Sequence, residues 1–315
     1  METFEHQVSA RKALLGQLGD VDIRLLRVFR AVVKSGGLAA AELELNIGRS
    51  TISKHISDLE LRLGMKLCNR GPRGFSLTGE GEQVLSAVDQ LLMAINTFKD
   101  DVAEVHENLT GRLKVALFDL TVSNPAAKVS HAFRRFEQLA PGVELEVAIE
   151  PTNVIEAGIF DGQFDIGIIP IHRKSSGLDY IDLYSEQMFL YCGKSHPLFA
   201  EAGRHISSTE IRKCKYAGLG FHSPNLVVGN KLRLARAADV HDQEAVALLV
   251  LSGCYIGFLP DHFAQPFVAQ NQMRIIGAQK FSYQSYFAAI SRRQPPPTRR
   301  TATFIECLRL AHQSD

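Results

Sequence analysis

Between Thr78 and Gly111 the chain reads TGEGEQVLSAVDQLLMAINTFKDDVAEVHENLTG, with no proline and no glycine between Gly81 and Gly111. Leu85, Val88, Leu92, Ile95, Phe98, Val102 and Val105 recur at steps of three and four, the rhythm of one helix face. Glu80 and Glu82 suit a helix start, where the backbone dipole is positive. The spacing predicts one helix over 79–108. No other feature constrains the fold as strongly, because an apolar seam of this length has to be covered. A second copy of the same helix is the simplest cover, on coiled-coil logic. Packing on its own domain is the alternative. The helix also divides the chain, since the residue patterns on its two sides differ in kind.

On the N-terminal side everything is short and helical. Residues 1–19 read as a loose tail. VDIRLLRVFRAVVK places Ile23, Leu26, Phe29, Val32 and Val33 at helical spacing, and the following Gly-Gly stops it. LAAAELEL is a second helix, broken by Asn-Ile-Gly. RSTISKHISDLELRL is a third, with Ile52, Ile56, Leu59 and Leu63 on one stripe. A short apolar strand, a Gly/Pro turn carrying Arg70 and Arg73, and a second short strand FSLT complete the segment.

Helices 38–45 and 49–63 with the break between them form a helix-turn-helix candidate. The second helix of such a unit enters the DNA major groove N-terminal end first. The outward residues of 49–63 suit that task. Ser50, Thr51, Ser53 and His55 are short or compact enough for close approach, and Arg49 and Lys54 can reach guanine edges or phosphate. Arg70 and Arg73 would stand on a wing beside it. A small helical bundle with a solvated polar face is the competing explanation. Whole-chain net charge is +1 and says nothing about partners, but residues 1–78 carry 12 Lys+Arg against 8 Asp+Glu, while 79–112 carry 2 against 7. The basic excess is small and compatible with an anionic partner.

After Gly111 strands and helices alternate: RLKVALFD, NPAAKVSHAFRRFEQLAPG, VELEVAIE, NVIEAGIFDGQ, FDIGIIPI, then DYIDLY, QMFLYCGKSHPL, KYAGLGF, DQEAVALLVLSG, CYIGFLP and DHFAQPFVAQ. Alternation at this spacing predicts open α/β sheets. Enzyme signatures fail one by one. CGKSHP holds the Gly-Lys-Ser of a phosphate loop, but Met188 stands where the first glycine is required. GLGFHS has two of three dinucleotide-loop glycines. HExxH, GxSxG and clustered Cys/His ligands are absent. His222 beside Ser223 is a weak hydrolase pair, and Cys192 with Cys254 a weak redox pair. The five cysteines are scattered with no CxxC, which points to reduced thiols in a cytoplasmic protein. No signal-peptide core and no apolar run near the ~20 residues of a membrane helix is visible. The expectation is no enzyme, no cofactor, no metal and no membrane partner.

The stretch FRAVVKSGGLAAAELELNIGRSTISKHISDLELRLGMKLCNRGPRGFSLTGEG resembles the winged helix-turn-helix of LysR-type transcriptional regulators. The matching features are Phe29, the Gly36 turn, Ala41, Leu45, Ser53, Leu59–Glu60, Leu63–Gly64, Arg70, Arg73 and Leu77–Thr78. A weaker likeness continues through LKVA, FRRFEQLAPGVELEV, FDIGI, HPL and AVALLVLSGCYIGFLP. There are departures. The family commonly has serine before an aromatic where Gly37–Leu38 stands, a small residue where Glu42 stands, Ser-Gln-Pro at 48–50, and phenylalanine at Cys68. Arg49 falls at a base-reading position, so a typical family operator is not assumed.

The resemblance implies a mainly α winged helix-turn-helix domain (20–78), a linker and dimerisation helix (79–112), and a two-lobed α/β domain like a periplasmic binding protein (113–315). Lobe one would be 113–184 with 284–309, and lobe two 185–283. It implies binding to double-stranded DNA as a dimer or dimer of dimers, and a small-molecule effector between the lobes. For that cleft, Thr121, Ser123 and Asn124 would stand at a helix N-terminus, where an anion is favoured; simple N-capping is the alternative. Pro170 and His172, Gly220 and His222, and Asp242 after His241 are the further effector candidates. The expected effector is a small polar or anionic metabolite. The rival reading is a solute-binding or enzymatic α/β protein with an appended helical domain.

Overall fold

A computed structural model describes residues 18–71, 74–104, 109–201 and 206–313. Arg73, the tail to residue 17, and Val105 with the remainder of the long helix to 108 lie outside the described residues. The chain forms two compact units, residues 1–98 and 99–315.

The first unit contains α1 (Asp20–Lys34), α2 (Leu38–Leu45), α3 (Arg49–Leu63), β1 (Cys68–Gly71), β2 (Gly74–Leu77) and the start of α4 (Gly79–Glu104). Strands β1 and β2 are an antiparallel ribbon, the wing. Helix α1 ends because Gly36 and Gly37 take positive φ, a conformation that side chains rarely adopt. Phe29, Ile52, Ile56 and Leu59 are each at most 1% exposed and make the centre of the core. Burying each contributes roughly 1.5–3 kcal/mol. Gly81 lets α4 lie directly on the chain entering the wing: a Cβ there would stand 2.0 Å from the Leu67 carbonyl oxygen.

The long helix departs from the simplest expectation. Val88 and Leu92 are 3% and 4% exposed, packed into the core of their own unit with Leu85 and Ile95 beside them. Arg30 of α1 pairs with Asp89 of α4 at 2.5 Å. The first half of the seam therefore has an intramolecular partner, which the periodicity alone did not reveal. Only the second half is open, with Phe98 67% and Val102 49% exposed.

The second unit is built on a nine-stranded sheet. In chain order it comprises β3 (Thr110–Leu117), α5 (Val129–Leu139), β4 (Gly142–Ile149), α6 (Thr152–Phe160), β5 (Ile166–Pro170), β6 (Leu178–Gly193), α7 (Ser208–Arg212), β7 (Lys215–Leu219), α8 (Pro224–Leu232), β8 (Ala235–Val240), α9 (Gln243–Leu251), β9 (Ile256–Pro260), α10 (Asp261–Ala269), β10 (Met273–Ile275), β11 (Ser282–Arg292) and α11 (Arg299–Gln313). The strand order is β4-β3-β5-β11-β6-β9-β7-β8, with β10 on β6. Strands β3, β4 and β5 are mutually parallel, as are β9, β7 and β8. Between these sets run β6 and β11, antiparallel to each other from Leu178–Arg292 to Phe189–Ser282.

The segments DYIDLY and QMFLYCG, read from the sequence as separate strands, are thus one strand, β6. It serves both halves. Strand β11 pairs with β5 through Phe287–Ile290, whereas β6 pairs with β9 through Met188–Cys192. Where the halves meet, Tyr184 stacks on Phe287, its register partner, with centroids 4.8 Å apart. Helix α8, absent from the sequence reading, starts at Pro224 and is capped by the Ser223 hydroxyl, which accepts from the Leu226 N–H.

Candidate functional site

The outer face of α3 carries the polar row expected from the sequence. Arg49, Ser50, Thr51 and Lys54 are exposed, and Ser53 and His55 are half-buried. Gly48 caps the helix with extended backbone and offers no side chain. Glu42 of α2 reaches across instead, and its Oε1 accepts from the Arg49 N–H at 3.3 Å. The residue that departs from the family pattern at 42 therefore occupies the start of α3. Its role was invisible in the sequence because the contact crosses the turn.

Arg70 corrects an expectation. The sequence places it on the wing as a contact to DNA, but its guanidinium turns inward. It donates to the Ser53 carbonyl and hydroxyl at 3.1 and 3.3 Å and to the Ser57 hydroxyl at 3.4 Å, and it pairs with Glu60. Glu60 in turn accepts from the Leu67 and Cys68 N–H groups at 3.0 and 3.3 Å. The pair bolts the wing to α3, which fixes the wing's position and removes Arg70 as a free cation. Arg49 and Lys54 meet no carboxylate among the described residues, so their charges remain available to an external anion.

In the second unit the expected helix start at Thr121–Asn124 is not there. Thr121–Ser123 is a single 3-10 turn, and α5 begins at Val129. Pro125 is the cause: the residue before a proline is held out of the helical region, and Asn124 is extended at φ −84, ψ 114. Its Oδ1 accepts from the Ala126 N–H at 2.9 Å, a local turn rather than a helix cap. Thr121 is buried, donates to the Phe118 carbonyl at 2.7 Å and accepts weakly from Tyr184 at 3.5 Å. Ser123 meets His262 of α10 at 3.0 Å, and the other nitrogen of that ring meets the buried Glu186 at 3.1 Å. Burial raises the Glu186 pKa, against the lowering effect of His262.

Asp119, passed over in the sequence, is the central residue of this region. Its Oδ2 accepts from the Gln243 N–H at the start of α9 at 2.5 Å, joining the two halves of the unit. Its Oδ1 is buried and has no partner. Burial pushes its pKa up to about 7, helped by the charges of Asp242, Glu186 and Glu244 and opposed by the Gln243 N–H. Asp242 caps α9, accepting from the Ala245 N–H at 2.7 Å. A cavity of about 700 Å³ opens here, lined by Asp119, Thr121, Asp242, Glu150 and Glu244 together with an apolar wall that includes Phe118 and Phe133. The usable signal was a carboxylate directly after an apolar strand, Leu117-Phe118-Asp119.

Of the remaining candidates, His172 and His222 do meet, their rings stacked at 6.3 Å across the two halves. Burial, then Arg173, lowers the His172 pKa, while the Pro170 carbonyl raises it. Pro170 ends β5 opposite Phe287. Gly220 donates its N–H to the Val240 carbonyl at 3.1 Å. Ser123, Asn124, Pro170, His172, Gly220 and His222 do not line the cavity. Thr152, fully buried at the start of α6 with an unpartnered hydroxyl, follows the cavity-lining Pro151 and was missed. Ser223 is occupied as a cap, so the hydrolase pair with His222 does not form. Burial pushes the Cys192 thiol up to about 12, which keeps it unreactive.

Comparison with known proteins converges with this geometry. Residues 23–82 match the bacterial regulatory helix-turn-helix protein family, lysR type, and residues 106–313 match the LysR substrate binding domain. The chain is 35% identical over 299 residues to the HTH-type transcriptional activator BauR of Pseudomonas aeruginosa, covering 95% of this chain and 98% of that one. It is 22% identical to the HTH-type transcriptional regulator CysL of Bacillus subtilis, over 92% and 97% of the two chains. Among solved structures, the LysR family regulator CbnR superposes with a TM-score of 0.63 at 19% identity, over 92% and 99% of the chains. A second structure, full-length CbnR with its target DNA, gives 0.61 at 20% identity, over the same shares. These relatives are named as regulators of transcription, and the chain is a regulator rather than an enzyme. No helix among the described residues is long and apolar enough to cross a membrane. The chain, with a LysR helix-turn-helix at one end and a LysR substrate-binding domain over the rest, belongs to the LysR family of transcriptional regulators.

Proposed function

We propose that this regulator reads its operator with the N-terminal end of α3 and is controlled by a small polar metabolite held between the two halves of the second unit. Arg49, Ser50, Thr51, Ser53, Lys54 and His55 are the reading residues, with Arg73 on the wing and Arg70 as the residue that positions it. The domain scheme is 20–78 for DNA, 79–112 as linker and 113–315 for the effector, split into lobes of 113–184 with 284–309 and of 185–283. Two copies pair through the open half of α4 at Phe98 and Val102, and two such dimers assemble on one operator, in the cytoplasm. The activator BauR suggests that the outcome is activation. One observation carries the reading. Arg49 and Lys54 project without a partner among the described residues from the same helix end whose backbone a neighbouring helix fixes, a pre-set, cation-bearing helix tip of the size the major groove admits. The experiment is a gel shift on the DNA upstream of the chain's own gene, across a salt series. Sequence-preferring, salt-sensitive binding that Arg49→Ala weakens supports the reading; binding without sequence preference, or unaffected by Arg49→Ala, rejects it.

A further inference from the structure

Resting on the reading of the cleft as the effector site, the geometry points to a ligand that carries an organic ammonium group. The carboxylates of the lining are Asp119, Glu150, Asp242 and Glu244; His241 is its single basic side chain, and no lysine or arginine lines it. The acceptors outnumber the donors there. Asp119 Oδ1, in the lining, is buried with nothing to accept from; Oε1 of Gln243, which is only 3% exposed and follows the lining residue Asp242 in the chain without itself lining the cavity, is likewise unpartnered. Above about pH 7, where Asp119 has lost its proton, both atoms are pure acceptors. They come from opposite halves of the unit and are tied together by the Gln243 N–H on Asp119 Oδ2. A buried acceptor without a donor is costly, and an ammonium brings three donors and the compensating charge.

The alternatives are weaker on the same grounds. An anion would need the N–H groups at the start of α9, but Asp119 takes the one on Gln243 and Asp242 the one on Ala245. The helix start once expected at Thr121–Asn124, the basis for an anionic ligand, does not exist. A metal ion needs several ligands at close quarters, and no group of three His, Cys, Asp or Glu among the described residues provides them. The apolar wall of Leu117, Phe118, Val129 and Phe133 suits a short hydrocarbon body behind the charged end.

The test uses the full chain and three probes of one size: n-butylamine, butyrate and butanol, titrated at pH 8 with thermal unfolding as the readout. The amine raises the melting temperature, while butyrate and butanol do not. Asp119→Asn and Glu244→Gln each weaken the amine about tenfold or more; Glu244 is exposed and its substitution spares the fold if Asn at 119 does not. Ser130→Phe, which fills the cavity from an exposed position on α5, abolishes the effect. An amine no better than butyrate, or no stabilisation by the amine at all, overturns the charge assignment. So does amine binding that both acidic variants leave unchanged. If butyrate stabilises and Ser130→Phe removes that effect, the cavity is still the effector site and the ammonium assignment alone falls. If Ser130→Phe leaves a ligand effect intact, the cavity is not the site and the effector reading falls with it.

Discussion

The two units hold their charges in opposite ways. In the DNA-reading unit the cations proposed to meet DNA, Arg49 and Lys54, are exposed, and the buried charge is paired: Arg70 with Glu60, Arg30 with Asp89. No buried polar side-chain atom among its described residues lacks a hydrogen-bond partner. In the effector unit the order is reversed. Asp119 Oδ1 on the cavity, and Thr152 Oγ1 and Gln243 Oε1 next in the chain to residues that line it, are buried without partners, as are Asn124 Nδ2, both ring nitrogens of His172, Asn225 Nδ2 and His312 Nε2 away from it. Unsatisfied buried groups are rare in folded proteins and call for a reason. The first unit is a finished surface that waits for DNA without needing it. The second is an unfinished interior, in which a ligand would complete the hydrogen bonding, and a site of that kind is able to favour one arrangement of the two halves over another.

The sharpest way to break this comparison is to unfinish the first unit. Glu60 holds Arg70 and two backbone N–H groups of the wing. Glu60→Ala leaves a largely buried guanidinium without its counter-charge, held only by the neutral groups of Ser53 and Ser57, and breaking such a pair costs about 3–5 kcal/mol. Thermal unfolding is expected to show one transition lowered, that of the DNA-reading unit, with the other in place. A uniform loss across the whole melt would mean that the units do not unfold separately, and the contrast between them would lose its meaning.

Next in size is the seam of α4. Leu92 is buried in its own unit whereas Phe98 is exposed. Leu92→Ala is therefore expected to destabilise the DNA-reading unit by ~3 kcal/mol, the cost of a core truncation, without dissociating the oligomer. Phe98→Asp is expected to do the reverse, leaving the melt almost unchanged and lowering the mass seen in sedimentation. Dissociation by Leu92→Ala with Phe98→Asp still oligomeric would move the interface away from the open half of the helix.

What the sequence made legible follows from the range of the interactions. The stripe Ile52, Ile56, Leu59 announces α3, and those residues are the buried ones, because helical period is local information. The seam of α4 was legible as a seam, but its partner was not: nothing in a three-four rhythm says whether α1 or a second chain covers Leu92. The wing showed Arg70 and not its direction, which depends on Glu60 ten residues away. The cleft was least legible. Its decisive bond joins Asp119 to Gln243 across 124 residues of chain, and Glu186 finds His262 across 76. The helix expected from Asn124 fails for a local reason, Pro125, that the composition of the segment had on display.

The pH dependence of stability sharpens the contrast from the other side. Asp119 titrates near 7 in the folded protein against 3.8 as a free side chain. Between those values the folded state holds a proton that the unfolded state has lost, so stability falls as pH rises through this window. The penalty is complete above about pH 7 and gone below about pH 4. Asp119→Asn removes it while keeping an oxygen for the Gln243 N–H. The variant is expected to be more stable than the parent by ~2 kcal/mol at pH 8, about half of what the shift alone would give because the bond to Gln243 loses its charge. At pH 5 the difference should shrink. The check is urea unfolding of the effector unit at both pH values. A difference that stays constant or grows toward pH 5 would show that Asp119 is a satisfied carboxylate, and the second unit would then be as finished as the first.

The smallest effect is expected where the first unit meets its partner. Arg49→Ala removes a cation from the tip of α3, and Lys54→Ala removes one a turn and more further along. Neither side chain has a partner to leave behind among the described residues, so neither change should move the melt. On DNA they should differ. On the proposed reading, position 49 lies at the end that enters the groove first, where a guanidinium can grip guanine at two points. Its loss is expected to cost about 1–2 kcal/mol on the preferred sequence and little on unrelated DNA. Lys54, a flexible point charge farther from the tip, suits phosphate. Its loss should weaken all sequences alike and flatten the salt dependence by about one unit. Ser53→Ala is a poorer probe of reading, because the Ser53 hydroxyl and carbonyl both hold Arg70 and its loss would loosen the wing as well. Competition gel shifts with specific and random DNA at two salt concentrations separate the cases. Equal losses for Arg49→Ala and Lys54→Ala on every sequence would mean that the tip of α3 supplies charge and no readout, and the wing or another element would have to choose the operator.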